Sequence, residues 1–218
     1  MTRWGMVIDV QRCIACWSCS ISCKAANFLP GDVVWNRLII GESGNYPVVK
    51  KEIYPVLCNH CEDAPCAKVC PTKATTRREE DGVVTIDYDK CIGCRYCMIA
   101  CPYQSRTYYE DDTEEYFPGQ GLTPYETLSR KIRPFQKGTV VKCNLCIERI
   151  EEGLKKGLKP GVDRESTPVC VINCPTKART FGDLEDPTSE VLRLIKERGG
   201  RPFHQEFGTG PSVYYVGT

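Results

Sequence analysis

The chain has 218 residues, 29 basic and 28 acidic side chains for a formal charge of +1, and 16 cysteines. So even a balance leaves no basic footprint for nucleic acid, and no apolar run approaches the 18 or more residues needed to cross a bilayer. Cysteine supplies much of the 41% hydrophobic content, so the remaining aliphatic and aromatic residues can build only a modest core that needs staples.

In chain order, a short strand near the start is followed by Asp9. Cys13, Cys16, Cys19 and Cys23 follow at once, spaced C-x2-C-x2-C-x3-C. Cys58, Cys61, Cys66 and Cys70 form a second group, spaced C-x2-C-x4-C-x3-C. EEDG (79–82) then reads as a turn and VVTIDY (83–88) as an alternating strand. Cys91, Cys94, Cys97 and Cys101 repeat the first spacing. Residues 109–131 are acidic, then rich in Gly and Pro; a long loop in a compact protein is often functional, and this one is expected to face a partner. The fourth group is split, Cys143 and Cys146 being followed after 23 residues by Cys170 and Cys174. Residues 186–200 (DPTSEVLRLIKERGG) read as an amphipathic helix with Asp186 as cap, Pro187 at the first position, Val191, Leu192 and Ile195 on one face, and glycines to stop it. The uncharged end GTGPSVYYVGT (208–218), with adjacent tyrosines, is expected to lie on a partner.

Three chemistries compete for the cysteines. Disulfides fit poorly: MTRWGMVIDV shows no secretory signal, and sulfurs at two-residue steps would pair only through strained bridges. Zinc takes cysteine pairs two residues apart, and four all-cysteine sites would use the same count. Three cysteines at two-residue steps nevertheless fit a cluster better than a tetrahedral ion, and zinc gives no reason for the proline that follows Cys70, Cys101 and Cys174. The run C-x2-C-x2-C-x3-C-P is a ferredoxin signature for cubane clusters. Three thiolates of one loop grip three corners, and the fourth cysteine ligates the neighbouring cluster. The proline is expected to start a helix behind that cysteine; Cys23, followed by Lys24, is the exception.

The chain also repeats itself. WGMVIDVQRCIACWSC (4–19) aligns with GVVTIDYDKCIGCRYC (82–97), and VCPTKAT (69–75) with NCPTKAR (173–179). The short gap from Cys70 to Cys91 suits one compact unit of groups two and three, so groups one and four close the other. Crossing the fourth cysteines gives four closed [4Fe-4S] clusters: Cys13/Cys16/Cys19 with Cys174 (cluster A), Cys23 with Cys143/Cys146/Cys170 (B), Cys58/Cys61/Cys66 with Cys101 (C), and Cys91/Cys94/Cys97 with Cys70 (D). At about −2 each, four oxidised clusters bring the loaded chain to about −7. The expected fold is α+β: two ferredoxin-like units, one inserted in the other, with long loops and an extended C-terminal tail. Residues 1–50 plus 138–198 form the outer unit, 51–108 the inserted one, 109–137 a partner-contact loop and 199–218 the tail.

Other residues gather around the cysteines. Lys73 and Lys177 stand at matching places in the two CPTKA segments, where an ammonium would raise a cluster's potential; Arg95 and Lys24, inside or beside cysteine loops, are candidates for the same role. His60 lies between two cysteines but is not needed as a ligand. Trp17 and Tyr96 are read as shields against water, and His204 as a surface or interface histidine. No nucleophile–base pair or phosphate-binding loop is present, so the chain is expected to catalyse nothing alone.

The opening GMVIDVQRC, LCNHCEDAPCAKVCP (57–71), DKCIGCRYCMIACPY (89–103), KCNLC (142–146) and GTGPSVYY (208–215) together resemble the four-cluster electron-transfer subunit of the dimethyl-sulfoxide-reductase family. The length and the ending are most similar to subunits of arsenate, tetrathionate, thiosulfate and polysulfide reductases. This resemblance implies a large molybdenum or tungsten bis-pterin catalytic partner and, on the other side, a quinone-linked, cytochrome or soluble redox partner, with no membrane span in this chain. The compartment would be cytoplasmic, or extracytoplasmic if a twin-arginine-bearing partner carries the chain out. A stand-alone soluble polyferredoxin is the alternative, disfavoured by the long loop and the apolar ending.

Overall fold

The computed structural model describes residues 2–110, 115–133 and 135–217. The chain opens with strand β1 (Trp4–Asp9) and helix α1 (Ser18–Ala26), then the hairpin of β2 (Arg37–Asn45) and β3 (Val48–Val56). A one-turn helix α2 (Pro65–Lys68) leads to the hairpin of β4 (Thr75–Arg77) and β5 (Val84–Ile86), then α3 (Tyr96–Ile99), β6 (Thr107–Tyr109), α4 (Pro124–Ile132) and β7 (Thr139–Val141). Helices α5 (Ile147–Lys155) and α6 (Val169–Ile172), strand β8 (Arg179–Asp183), helix α7 (Glu190–Glu197) and strands β9 (Arg201–Pro202) and β10 (Val213–Val216) complete it. It is a mixed α/β fold.

Every residue of β1 is buried, as a near-continuous apolar run requires when both faces of a strand are covered. It lies inside a four-stranded sheet ordered β8-β1-β10-β9, antiparallel to β8 and parallel to β10. The internal repeat is structural. β1 pairs with the strand after the second CPTKA, and β5 pairs with the strand after the first. The Asp9 amide donates to Ala178 O at 2.7 Å and the Asp87 amide to Ala74 O at 2.8 Å, the same bond in each copy. Met6, Ile8, Leu57, Val141, Leu145, Ile150 and Phe181 share one buried cluster with Cys19, Cys23, Cys58, Cys143 and Cys170, so the sulfurs are part of the core.

Four expectations need correction. The ending is no surface tail: Val213, Tyr215 and Val216 are buried in the chain's own sheet, and Tyr215 Oη donates to Pro55 O at 2.9 Å. Helix α7 starts later than expected, capped by Ser189, whose hydroxyl accepts from Leu192 N, while Asp186 closes a turn with Thr188. Its packed face carries Val191, Leu194 and Ile195, with Leu192 off that face. Within 109–137 there is a helix rather than only a loop. Thr123 and Glu126 form a capping box before α4, and Tyr116 Oη donates to Leu29 O, tying the segment to the stretch after α1. Residues 111–114 and Pro134 of that segment lie outside the described residues. Finally, the proline after the fourth cysteine ends a helix instead of starting one. Cys70, Cys101 and Cys174 each follow a one-turn helix, and the residue before a proline resists helical geometry. Cys23 is followed by Lys24, and there α1 continues to Ala26.

Candidate metal centres

Each three-cysteine loop folds so that its sulfurs face one side. Ala15 and Trp17 take φ of +55° and +60°, and the matching Gly93 and Arg95 take +66° and +63°. Left-handed backbone costs a non-glycine residue on the order of 1 kcal/mol; here it turns the chain twice within seven residues. His60 (+43°) between Cys58 and Cys61, and Leu145 (+56°) between Cys143 and Cys146, do the same.

After each Cys-Pro the chain makes one more turn. Lys73, Gln104 and Lys177 donate their amides back to Cys70 O, Cys101 O and Cys174 O at 3.2, 3.1 and 3.2 Å. All three have positive φ, of +53°, +49° and +52°. This geometry aims amides at sulfur: Thr75 N reaches Cys70 Sγ at 3.4 Å and Ala178 N reaches Cys174 Sγ at 3.3 Å. Leu145 N likewise reaches Cys143 Sγ at 3.4 Å.

None of the sixteen cysteines is joined in a disulfide. One cavity is lined by Cys13, Cys16, Cys19 and Cys174 together with Arg179, and another by Cys70, Cys91, Cys94 and Cys97. Elsewhere Cys143 faces Cys23, Cys146 and Cys170; burial first, then these neighbours, raise its pKa well above the usual thiol value. Cys61 faces Cys58, Cys66 and Cys101, and burial pushes it up to about 12. Neighbouring sets also lie near enough to act on one another electrostatically: Cys19 on Cys170, Cys58 on Cys143, and Cys66 on Cys97.

The four cations singled out in the sequence do not sit buried against sulfur. Lys73 and Lys177 are exposed, so the shared lysine marks a left-handed turn position. Lys24 Nζ donates to Pro30 O, Gly31 O and Val33 O at 2.5, 2.9 and 3.1 Å. Arg95 stacks on Tyr108, 3.6 Å from the ring centre, and pairs with Glu110. Trp17 and Tyr96 are each about half exposed, at 45% and 58%. His204 bonds Glu206 at 2.8 Å at the surface.

Three buried cations do face the sulfurs: Arg106, Lys142 and Arg179, only 6%, 2% and 4% exposed. Arg106 faces Cys58, Cys66 and Cys97; Lys142 faces Cys58, Cys66 and Cys143; Arg179 faces Cys19, Cys170 and Cys174. Among the described residues none of the three pairs with a carboxylate. Arg106 Nη2 and Arg179 Nη2 are buried without a hydrogen-bond partner, and so is His60 Nε2, whose Nδ1 accepts from Val84 N at 3.1 Å. A signal for two of them was present in the sequence. Arg106 and Arg179 each stand five residues after the fourth cysteine, in CPYQSR and CPTKAR.

These observations test what the site can hold. Leaving three cations buried without counter-charge would cost several kcal/mol each, so the sulfur sets must carry negative charge. Soft thiolates in fours suit iron–sulfur clusters. Among the described residues no three Cys, His, Asp or Glu groups converge as a single ion would need, and the sulfurs of sets A and D each stand around a cavity. The residues fit cubane clusters, and the fold and site define an iron–sulfur protein.

Comparison with known proteins agrees. Residues 49–120 match the 4Fe-4S dicluster domain. A Halobacterium salinarum protein named as a dimethyl sulfoxide reductase iron–sulfur subunit is 44% identical over 99% of this chain and 79% of its own length. The arsenate respiratory reductase iron–sulfur subunit of Shewanella sp. is 38% identical over 98% of this chain and 96% of its own. A selenate reductase subunit of Mesobacillus selenatarsenatis is 39% identical over 98% and 72%. The chain belongs to this family, the iron–sulfur electron-transfer subunits of dimethyl-sulfoxide-reductase-type oxidoreductases, and its cofactors are [4Fe-4S] clusters. Among the described residues no helix is long and apolar enough to cross a membrane.

Proposed function

We propose that the sixteen cysteines hold clusters A, B, C and D in the four sets given above, and that the sets form one row in that order. The electrostatic proximity of Cys19 to Cys170, Cys143 to Cys58 and Cys66 to Cys97 supports it. In the same reading, groups one and four close an outer ferredoxin-like unit, residues 1–50 and 138–198, around an inserted unit, 51–108. Residues 199–218 complete the outer sheet through β10. When bound, the clusters supply one-electron relays. The chain's own part is to hold them in line, keep water from the inner pair and present the outer pair to partners.

The observation that carries this reading is the exposure pattern. Cys16 in set A and Cys94 in set D are the exposed cysteines, whereas sets B and C are nearly all buried. Apolar side chains surround both exposed loops: Ile14, Trp17 and Ile21 at one, Ile92, Tyr96 and Ile99 at the other, with Ile99 83% exposed. Such patches rimming a functional group mark docking surfaces. One end would meet a large molybdenum or tungsten bis-pterin catalytic subunit, as the relatives' names suggest, and the other a quinone-linked, cytochrome or soluble redox partner. This chain would then be a non-catalytic subunit. The segment 109–137, with Phe117, Leu128 and Ile132 exposed, is a further partner surface.

The test is anaerobic co-purification from native cells. A large pterin-containing subunit should accompany the wild-type chain, and Ile14→Asp with Ile92→Asp should weaken its retention while leaving iron content unchanged. A lone monomer at native abundance would sink the subunit reading in favour of a free carrier.

A further inference from the structure

Three cations, Arg179, Lys142 and Arg106, are the buried charges among the sulfurs that pair with no carboxylate in the described structure. Their placement follows the row. Arg179 faces Cys19 and Cys174 of set A and Cys170 of set B. Lys142, whose Nζ donates to Val84 O and to Cys143 O at 2.8 Å, faces Cys143 of set B and Cys58 and Cys66 of set C. Arg106, whose Nη1 donates to Thr75 Oγ1 at 3.2 Å, faces Cys58 and Cys66 of set C and Cys97 of set D. One cation therefore stands at each junction.

The fold explains why the arginines land there. Both follow the turn made by Cys-Pro and a left-handed third residue, which swings position five inward between its own set and the next. In the remaining copy, CPTKAT, position five is Thr75, and that hydroxyl receives Arg106 from the other copy. The inserted unit thus carries one arginine at its internal junction, as the outer unit does. Lys142 serves the junction between units, tied by Val84 O to the inserted unit and by Cys143 O to the outer one.

Resting on the cluster assignment above, we propose that Arg179, Lys142 and Arg106 are potential-setting cations, each shared by the two clusters it separates. A fixed positive charge stabilises the more negative, reduced form and so raises the reduction potential of both neighbours. It also offsets repulsion when adjacent clusters are reduced together, which lets the row hold more than one electron. Low dielectric around these groups makes the effect larger than for the exposed Lys73 or Lys177.

The experiment is an EPR-monitored redox titration of the intact complex, with iron counted for every variant. Arg106→Gln should lower two of the four midpoint potentials, Arg179→Gln the other two, and Lys142→Gln one from each pair. Each shift should be at least a tenfold change in the reduced-to-oxidised ratio, about 59 mV for a one-electron couple. This pattern needs no assignment of signals to sites. With full iron loading, unmoved potentials, or the same pair moved by both arginine variants, would overturn the proposal. Should a glutamine variant fail to load, Arg106→Lys and Arg179→Lys decide: full iron with potentials close to wild type upholds the role of charge, and a shift like that of glutamine overturns it. If the wild-type complex lacks four signals, the cluster assignment fails instead.

Discussion

Gly93 lies in the cysteine loop of set D at φ +66°, and a Cβ built there would run into the carbonyl of Gly138 and come within 3.2 Å of the Tyr108 ring. Gly138 is itself held by its amide bond to Tyr109 O at 2.8 Å, where β7 begins. The obstacle is backbone, so no side-chain rotation relieves it. Gly93→Ala should cost about 1 kcal/mol for the left-handed conformation and about 1–3 kcal/mol for overpacking. The sum, about 2–4 kcal/mol, should lower the melting temperature of a 218-residue chain by about 4–16 °C. The internal control is Ala15, which occupies the matching loop position at φ +55° with its Cβ in place. Ala15→Gly should therefore stay within about 1 kcal/mol of wild type. Thermal unfolding under anaerobic conditions at one scan rate, with iron per chain, reads both variants. A Gly93→Ala protein melting within about 2 °C of wild type with full iron would refute the close approach of these two backbones.

Asp9 is buried and accepts the amides of Gln11 and Arg12 while pairing with Arg198. Burial works to raise its pKa, but the bond and charge of Arg198 together with those amides hold it below the usual carboxylate value. A lowered carboxylate contributes stability above its unfolded pKa and loses it as pH falls through the folded value. Asp9→Asn should cost about 1–2 kcal/mol, discounted because Arg198 is one-third exposed. In denaturant unfolding the gap to wild type should hold from pH 8 to about 5 and close below about 4; a gap that widens in acid would contradict this. Tyr215→Phe removes a buried bond to Pro55 O, and about 1–2 kcal/mol should go with it while iron content stays full. Equal stability would place β10 outside the core. Glu126→Ala breaks a capping box and an acceptor for the Tyr116 amide, so limited proteolysis should cut within 115–133 faster at unchanged iron loading. Unaltered cleavage would mean the segment is anchored otherwise. Stripping iron with a chelator under reduction should collapse far-UV ellipticity and thermal cooperativity, since Arg106, Lys142 and Arg179 then lose their counter-charge. A chain that stays folded without iron would remove that argument.

Local chemistry was legible in the sequence and long-range packing much less so. Cysteine spacing marks the loops because sulfurs gripping one object must lie within a few residues, and the repeat of CPTKA marks two equivalent turns. A proline at the first helical position and a proline that stops the preceding helix look alike in sequence; the one-turn helices before Cys70 and Cys174 decide between them. Lys73 and Lys177 are exposed, and both occupy the left-handed turn that follows Cys-Pro. The inward residues lie two positions further on, at Thr75 and Arg179, and the shared offset of Arg106 and Arg179 from their cysteines is the sequence trace of that burial. The ending looked like a partner surface because it is uncharged. A central strand is uncharged for the same reason, and its partners β1 and β9 come from opposite ends of the sequence order. Helix α4 was missed although its capping box, Thr123 and Glu126 around Pro124, is written in the chain.

The central claim is that all sixteen cysteines serve four closed cubane clusters. Iron and acid-labile sulfide counted per chain on the anaerobically purified complex, with EPR spin quantitation after full reduction and after subtraction of the partner's content, test it most directly. The account expects about 16 iron, about 16 sulfide and about four reduced-cluster spins per chain, four irons for each cluster. Eight irons, or stoichiometric zinc with no reducible signal, would contradict it.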